Sequence, residues 1–94
     1  MLHTIVRLTV QDFETFKSVF EGAAELRRQY GSKGVHVLRN IDKPNEVALF
    51  AEYENLERAR QLFQSPEFRD AVKSAGVMGP PDISFYDEIA ELPV

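Results

Sequence analysis

The chain has no cysteine, no tryptophan, and only two histidines, His3 and His36. Without cysteine there is no disulfide, no thiolate nucleophile and no sulfur-rich metal site. The two histidines show neither HxH nor HxxxH spacing, and a usual zinc site needs three or four converging ligands, so no metal is expected. No serine nucleophile motif is present. Glycine is sparse, at five residues, and no glycine-rich phosphate loop follows a strand. The Gly76–Gly79 stretch runs into Pro80 and Pro81, which lack the N–H donors such a loop requires. No apolar run approaches the ~20 residues of a membrane span, and no charged segment leads into an apolar one, so neither a membrane partner nor a signal peptide is expected. Positive charge is also in short supply: 11 Lys and Arg stand against 15 Asp and Glu, for a net charge of −4. A nucleic-acid partner needs a basic patch or stripe, and none is visible. Arg27-Arg28 is the only adjacent basic pair and reads as a solvated helix face. A cysteine-free, leaderless chain of this kind is expected in the cytoplasm.

What is present is alternation. Four runs, Leu2 to Val10, Gly34 to Ile41, Glu46 to Tyr53 and Ile83 to Ala90, have the period of two that puts successive side chains on opposite faces of a strand. One set of positions is mostly apolar: Leu2, Val6, Leu8 and Val10, then Val35, Val37 and Ile41, then Val47, Leu49, Ala51 and Tyr53, and last Ile83, Phe85 and Ile89. The other set mixes apolar and titratable groups: His3, Ile5 and Arg7, then His36 and Leu38, then Ala48, Phe50 and Glu52, then Tyr86 and Glu88. The pattern predicts a sheet with one dry face, which must be covered, and one amphipathic face.

The segments between the strands supply the cover. Asp12 is placed to cap a helix whose stripe is Phe16, Val19, Phe20, Ala23, Leu26 and Tyr30, ended by Gly31. Gly22 lies inside this helix, and a close helix-to-sheet approach is its expected reason. Asn55 is placed to cap a second helix bearing Leu56, Ala59, Leu62 and Phe63. Ser65-Pro66 restarts the helix with an N-cap serine and proline at the first helical position, so this region reads as two helices. Its second stripe is Phe68, Ala71, Val72 and Ala75. Asp42 to Asn45 reads as a hairpin turn with Pro44 and Asn45 at its centre, and Gly76 to Pro81 as a stiff loop before the last strand. The order is β-α-β-β-α-β in a single domain over residues 1–94. That is the ferredoxin-like α+β arrangement, a four-stranded antiparallel sheet with helices on one face.

With these elements in place the chain resembles the dimeric α/β-barrel superfamily, the group that includes antibiotic-biosynthesis-monooxygenase-like proteins. The resemblance rests on the element order and on several stretches: Asp12 to Lys17, Asp42 to Asn45, Phe50 to Glu54 leading into Leu56 to Ala59, Ser65 to Phe68, Ala75 to Val77 and Gly79 to Pro81. It implies a homodimer, a dimeric α/β barrel whose two sheets face each other. It also implies a pocket between sheet and helices or within the barrel, and no bound cofactor. Quinol monooxygenases and haem-degrading members of the superfamily commonly use a tryptophan near the pocket. This chain has none, so no catalytic residue is carried over from them.

The candidates for chemistry therefore come from the mixed face. His36 is the expected proton carrier, since histidine titrates near neutral pH. Arg7 is expected to hold a developing oxyanion, and Glu52 to be a carboxylate tuned by its surroundings. Tyr86, Phe50 and His3 are expected to contact the substrate. The ferredoxin strand order suggests that Arg7, Glu52 and Glu88 meet. The competing use of the same groups is an ion-pair network in the homodimer interface. The functional expectation is an enzyme acting on a small aromatic or polyketide-like molecule, by cofactor-independent oxygenation or by proton transfer in isomerisation or cyclisation. The alternative is a non-catalytic dimeric binding or assembly module.

Overall fold

The computed structural model describes residues 2–94. Four strands and four helices follow one another as β1 (Leu2–Val10), α1 (Phe13–Gly22), α2 (Ala24–Gln29), β2 (Ser32–Arg39), β3 (Glu46–Tyr53), α3 (Leu56–Gln64), α4 (Pro66–Ser74) and β4 (Val77–Asp87). The strands form one antiparallel sheet in the order β2-β3-β1-β4. This is the expected ferredoxin-like α+β fold, with each helical region divided in two.

The local chemistry of the breaks is legible. Asp12 Oδ2 accepts from the Thr15 backbone N–H at 2.9 Å and from the Thr15 hydroxyl at 2.7 Å, which starts α1. Asn55 accepts from the Arg58 N–H at 2.8 Å to start α3. Ser65 both ends α3 and starts α4: its hydroxyl donates to the Leu62 carbonyl at 2.7 Å and accepts from the Phe68 N–H at 3.1 Å. Gly31 and Gly76, with φ of 84° and 72°, take the left-handed conformation that follows a helix end. In the β2–β3 connection Glu46 N–H donates to the Lys43 carbonyl at 2.9 Å, so Pro44 and Asn45 do occupy the centre of the turn.

Three expectations need correction. The first helical region is not continuous: it breaks at Ala23, directly after Gly22. A Cβ at Gly22 would meet nothing within 4 Å, so no close approach to the sheet explains that glycine. Second, the stretch expected as a loop before the last strand, Gly76 to Pro81, is mostly strand. β4 begins at Val77 and is an edge strand, where a residue without an N–H donor is tolerated. The ladder accommodates the prolines by bulging: Thr9 lies opposite Met78 and Arg7 opposite Asp82, leaving Gly79, Pro80 and Pro81 between them. Third, Ile41 and Ile89 do not join the dry face. β2 ends at Arg39 and β4 at Asp87, and both isoleucines are almost fully exposed.

Val37, also expected on the dry face, is exposed, but the strand residues at the centre of that face are covered. Val6, Leu8, Val10, Val47 and Leu49 pack with Phe16 and Ala75 at one end. Ala51 and Tyr53 pack with Ala59 and Leu62 at the other. Among the described residues, no helix is long and apolar enough to cross a membrane.

Candidate active site

Strand register decides which mixed-face residues meet. His3 stands between Glu52 on β3 and Tyr86 on β4. Ile5 stands between Phe50 and Ser84, and His36 on β2 lies opposite Phe50. The Phe50 ring is stacked on His3, with centroids 5.0 Å apart, and tilted against His36 at 6.4 Å. His3, His36, Phe50 and Glu52 line an open concavity of about 300 Å³ together with Lys33, Gly34 and Val35. His3 Nε2 lies 3.2 Å from Glu88 Oε1.

Arg7 is not in this group. It is exposed and lies opposite Ala48 and Asp82. It lies four positions further along the strand than His3, roughly 13 Å away. The expected meeting of Arg7 with Glu52 and Glu88 therefore does not occur, and the concavity that holds His36 does not include Arg7. Strand order alone brings β1, β3 and β4 side by side. It is the register that sets Glu52 level with His3 instead of Arg7. Among the described residues, no three histidine or carboxylate side chains are grouped to hold a metal ion.

A second cavity lies on the other side of the sheet. It has a volume of about 70 Å³ and is lined by members of both halves of the core, among them Val6, Leu49, Ala51, Leu62, Phe63 and Phe68. The same measure of about 10–15 Å³ suffices for one water and an apolar cavity of about 150 Å³ takes benzene, so an aromatic ligand requires this space to widen. Its origin is in side-chain size. Small side chains line it from both sides, Ala51 on the sheet and Ala23, Ala71 and Ala75 in the covering segments, and leave volume unfilled.

Among the described residues that line this cavity, Thr4, Arg27 and Tyr53 are the polar ones. Tyr53 is buried, and that burial pushes its phenol above the ordinary tyrosine range, against the smaller opposing effects of Arg27 and Ser32. It is a neutral donor at physiological pH. Arg27 is half-buried, which lowers its guanidinium from the ordinary value while nearby Tyr53 acts the other way. Its guanidinium donates to the Phe20 carbonyl and lies over the Phe20 ring, 3.9 Å from the centroid. A cation held in an apolar surround suits an oxygen that acquires negative charge.

None of the six residues read from the sequence as a site lies on this face. Thr4, Arg27 and Tyr53 were passed over, and one signal for them existed: Thr4 interrupts the apolar set of its strand with a hydroxyl, between Leu2 and Val6.

A family model described as antibiotic biosynthesis monooxygenase matches residues 1–74. The chain belongs to this family. Solved structures carry the same fold through almost their whole length. SnoaB of Streptomyces nogalater, a cofactor-independent oxygenase, superposes with a TM-score of 0.80 at 21% identity, over 99% of this chain and 97% of SnoaB. A Bordetella bronchiseptica protein gives 0.81 at 21% identity, over 95% and 97% of the two chains. Rv0793 of Mycobacterium tuberculosis gives 0.71 at 15% identity, over 96% of each. At these identities the likeness is one of fold. No curated protein sequence matches the chain. Membership in the antibiotic biosynthesis monooxygenase family accounts for the element order.

Proposed function

We propose that this protein is a cofactor-independent monooxygenase acting on a small phenolic aromatic molecule bound between the sheet and the helices. The observation that carries the reading is the cavity: an almost wholly apolar space between sheet and helices, with Arg27 and Tyr53 among the residues that line it. Few polar groups in an apolar enclosure is the usual form of a site for a flat organic ligand. The family match and the resemblance in fold to SnoaB support the same chemistry.

The reaction balances without an external reductant if the substrate supplies the electrons. Conversion of an activated ring CH₂ to C=O removes four electrons from carbon. Dioxygen accepts them, one oxygen atom becoming the carbonyl and the other leaving as water with the two substrate hydrogens. The protein's part is to bind the substrate, exclude bulk water and stabilise the substrate oxyanion from which the first electron leaves. Arg27 serves the charge and Tyr53 donates a hydrogen bond.

The mixed face is proposed to pair with a second copy of the chain. It exposes Leu38, Phe50 and Tyr86, and it carries both signs of charge, Arg7 and Lys33 with Glu52, Asp82 and Glu88. A twofold axis presents such a surface to itself, so opposite charges can be matched.

The test of the enzymatic reading is oxygen uptake. With a small phenolic compound bearing an activated CH₂, the protein is expected to consume one O₂ per carbonyl formed, with no flavin, metal or nicotinamide added. Saturable binding of that compound with no uptake above the protein-free rate rejects the oxygenase and leaves a binding module.

A further inference from the structure

At about 70 Å³ the cavity is smaller than the ~150 Å³ that takes a benzene ring, so one wall must yield before such a ligand enters. The sheet side is fixed: Val6, Leu8, Leu49, Ala51 and Tyr53 are buried, on the two strands that are paired along both edges. Among the helices α2 has the weakest hold. It has six residues, none of them buried, and Ala23 before it supplies no side-chain cap. The other three helices are capped by the side chains of Asp12, Asn55 and Ser65. α4 buries none of its own residues either, but it is pinned between Ser65 and Ala75, which are buried. α2 hangs between half-buried Ala23 and Tyr30 and packs on β2, an edge strand. So short and uncapped a helix depends on tertiary contacts, and a segment with few buried groups opens first. Gly22, directly before it, has open space around it and a backbone free to turn. Two side chains tie α2 down: Arg27 donates to the Phe20 carbonyl on α1, and Arg58 on α3 donates to the Gln29 carbonyl at its far end. Leu26 and Arg27 of α2, with Ala23, line the cavity.

We propose that α2 is the movable wall of this cavity: it swings outward about Gly22 and Ala23, and that movement makes the room an aromatic ring needs. This rests on the cavity being the ligand site. A hinge of this kind needs only a few residues at an element's end to absorb the change. The affinity for a ring then scales with the fraction of molecules in which α2 has swung out. Anything that holds Gly22 helical weakens the ring's binding, and anything that frees the far end of α2 strengthens it.

Xenon and benzene provide the test. Both are apolar, but xenon is a single atom that needs no widening, whereas benzene does. Binding of each is measured by NMR titration of the backbone amides in the wild type, Gly22→Ala and Arg58→Ala. In the wild type, benzene is expected to move the amide signals of residues 20–30 more than those of α3 and α4. Gly22→Ala is expected to weaken benzene about threefold relative to xenon, because alanine favours the helical, closed arrangement. Arg58→Ala is expected to strengthen benzene about threefold relative to xenon, because one tie is lost. Either shift in the stated direction supports the movable wall. An unchanged benzene-to-xenon ratio in both variants, or a shift in the opposite direction, overturns it and leaves the cavity standing. Xenon binding without benzene binding also overturns it, because no wall then yields. If neither binds the wild type, the cavity reading falls and the movable wall with it.

Discussion

The imidazole of His3 lies nearly parallel to the ring of Phe50, with 12° between their planes. The contact joins β1 to β3 on the mixed face, and Glu88, just past the end of β4, bonds the same imidazole. His3 is thus fixed by an aromatic face and a carboxylate, and Phe50 presents its remaining surface outward, where it is 39% exposed.

If that surface meets a second copy, a charge at its centre is intolerable. Wild-type protein is expected to sediment as a dimer at micromolar concentration, and Phe50→Asp as a monomer with unchanged far-ultraviolet circular dichroism. Buried unpaired charge at an interface is strongly unfavourable, so the shift is expected to be complete. A monomeric wild type rejects the interface.

The cavity can be closed from the helix side without touching a polar group. Ala71 is half-buried on α4 and lines it. Ala71→Leu keeps helix propensity and places three further carbons in the space. Ligand affinity is expected to fall at least about tenfold, while the thermal midpoint moves little or rises, as cavity filling commonly stabilises. Isothermal titration beside a thermal melt separates the two effects.

Two groups make stability depend on pH, at opposite ends of the scale. The bonds from Thr15, first through its hydroxyl and then through its backbone N–H, hold the Asp12 carboxyl below the usual carboxylate range. Its contribution is therefore complete above that range and disappears as pH falls through it. Asp12→Ala is expected to melt earlier than wild type at neutral pH, with the gap closing in acid. Burial raises the Tyr53 phenol, so its contribution is complete below the ordinary tyrosine range and is lost as pH rises through it. Tyr53→Phe is expected to lose about 1 kcal/mol at neutral pH but to resist alkaline unfolding better. Denaturant melts at acid, neutral and alkaline pH check both.

The helix-end glycines should respond in opposite directions to the same substitution. Gly22 ends α1 without a positive φ and with open space around it. Gly22→Ala is expected to stabilise by about 0.5–1 kcal/mol. Gly76 has φ 72°, and Gly76→Ala is expected to destabilise by about 1 kcal/mol or more. Urea unfolding midpoints with equal slopes give the comparison.

These contrasts show where the chain is readable. The ends of β1 and β3, the Ser65-Pro66 restart and the Pro44-Asn45 turn follow from short-range chemistry, and all lie where the sequence pattern puts them. The early start of β4 was hidden because two prolines argue against a strand, and only its edge position and bulge make them tolerable. Arg7 was misplaced for a different reason. Alternation gives the face of a residue but not its level along the neighbouring strand, and register is settled by pairing across the chain. The cavity residues are harder still, since an unfilled space depends on how side chains from several separate segments come together over the sheet. Thr4 alone carried a visible mark.

The bulge at Gly79-Pro80-Pro81 bears on how copies of this protein can associate. An open four-stranded sheet has two edges, here β2 and β4. Edge-to-edge joining of such sheets, head to tail, builds filaments. Two consecutive residues without N–H groups and a local break in the ladder deprive the first half of β4 of a regular template. Any strand added there is confined to the stretch from Ile83 to Asp87, too short for a long, self-propagating ribbon. The same prolines that obscure the strand in the sequence thus favour finite assemblies over open-ended ones.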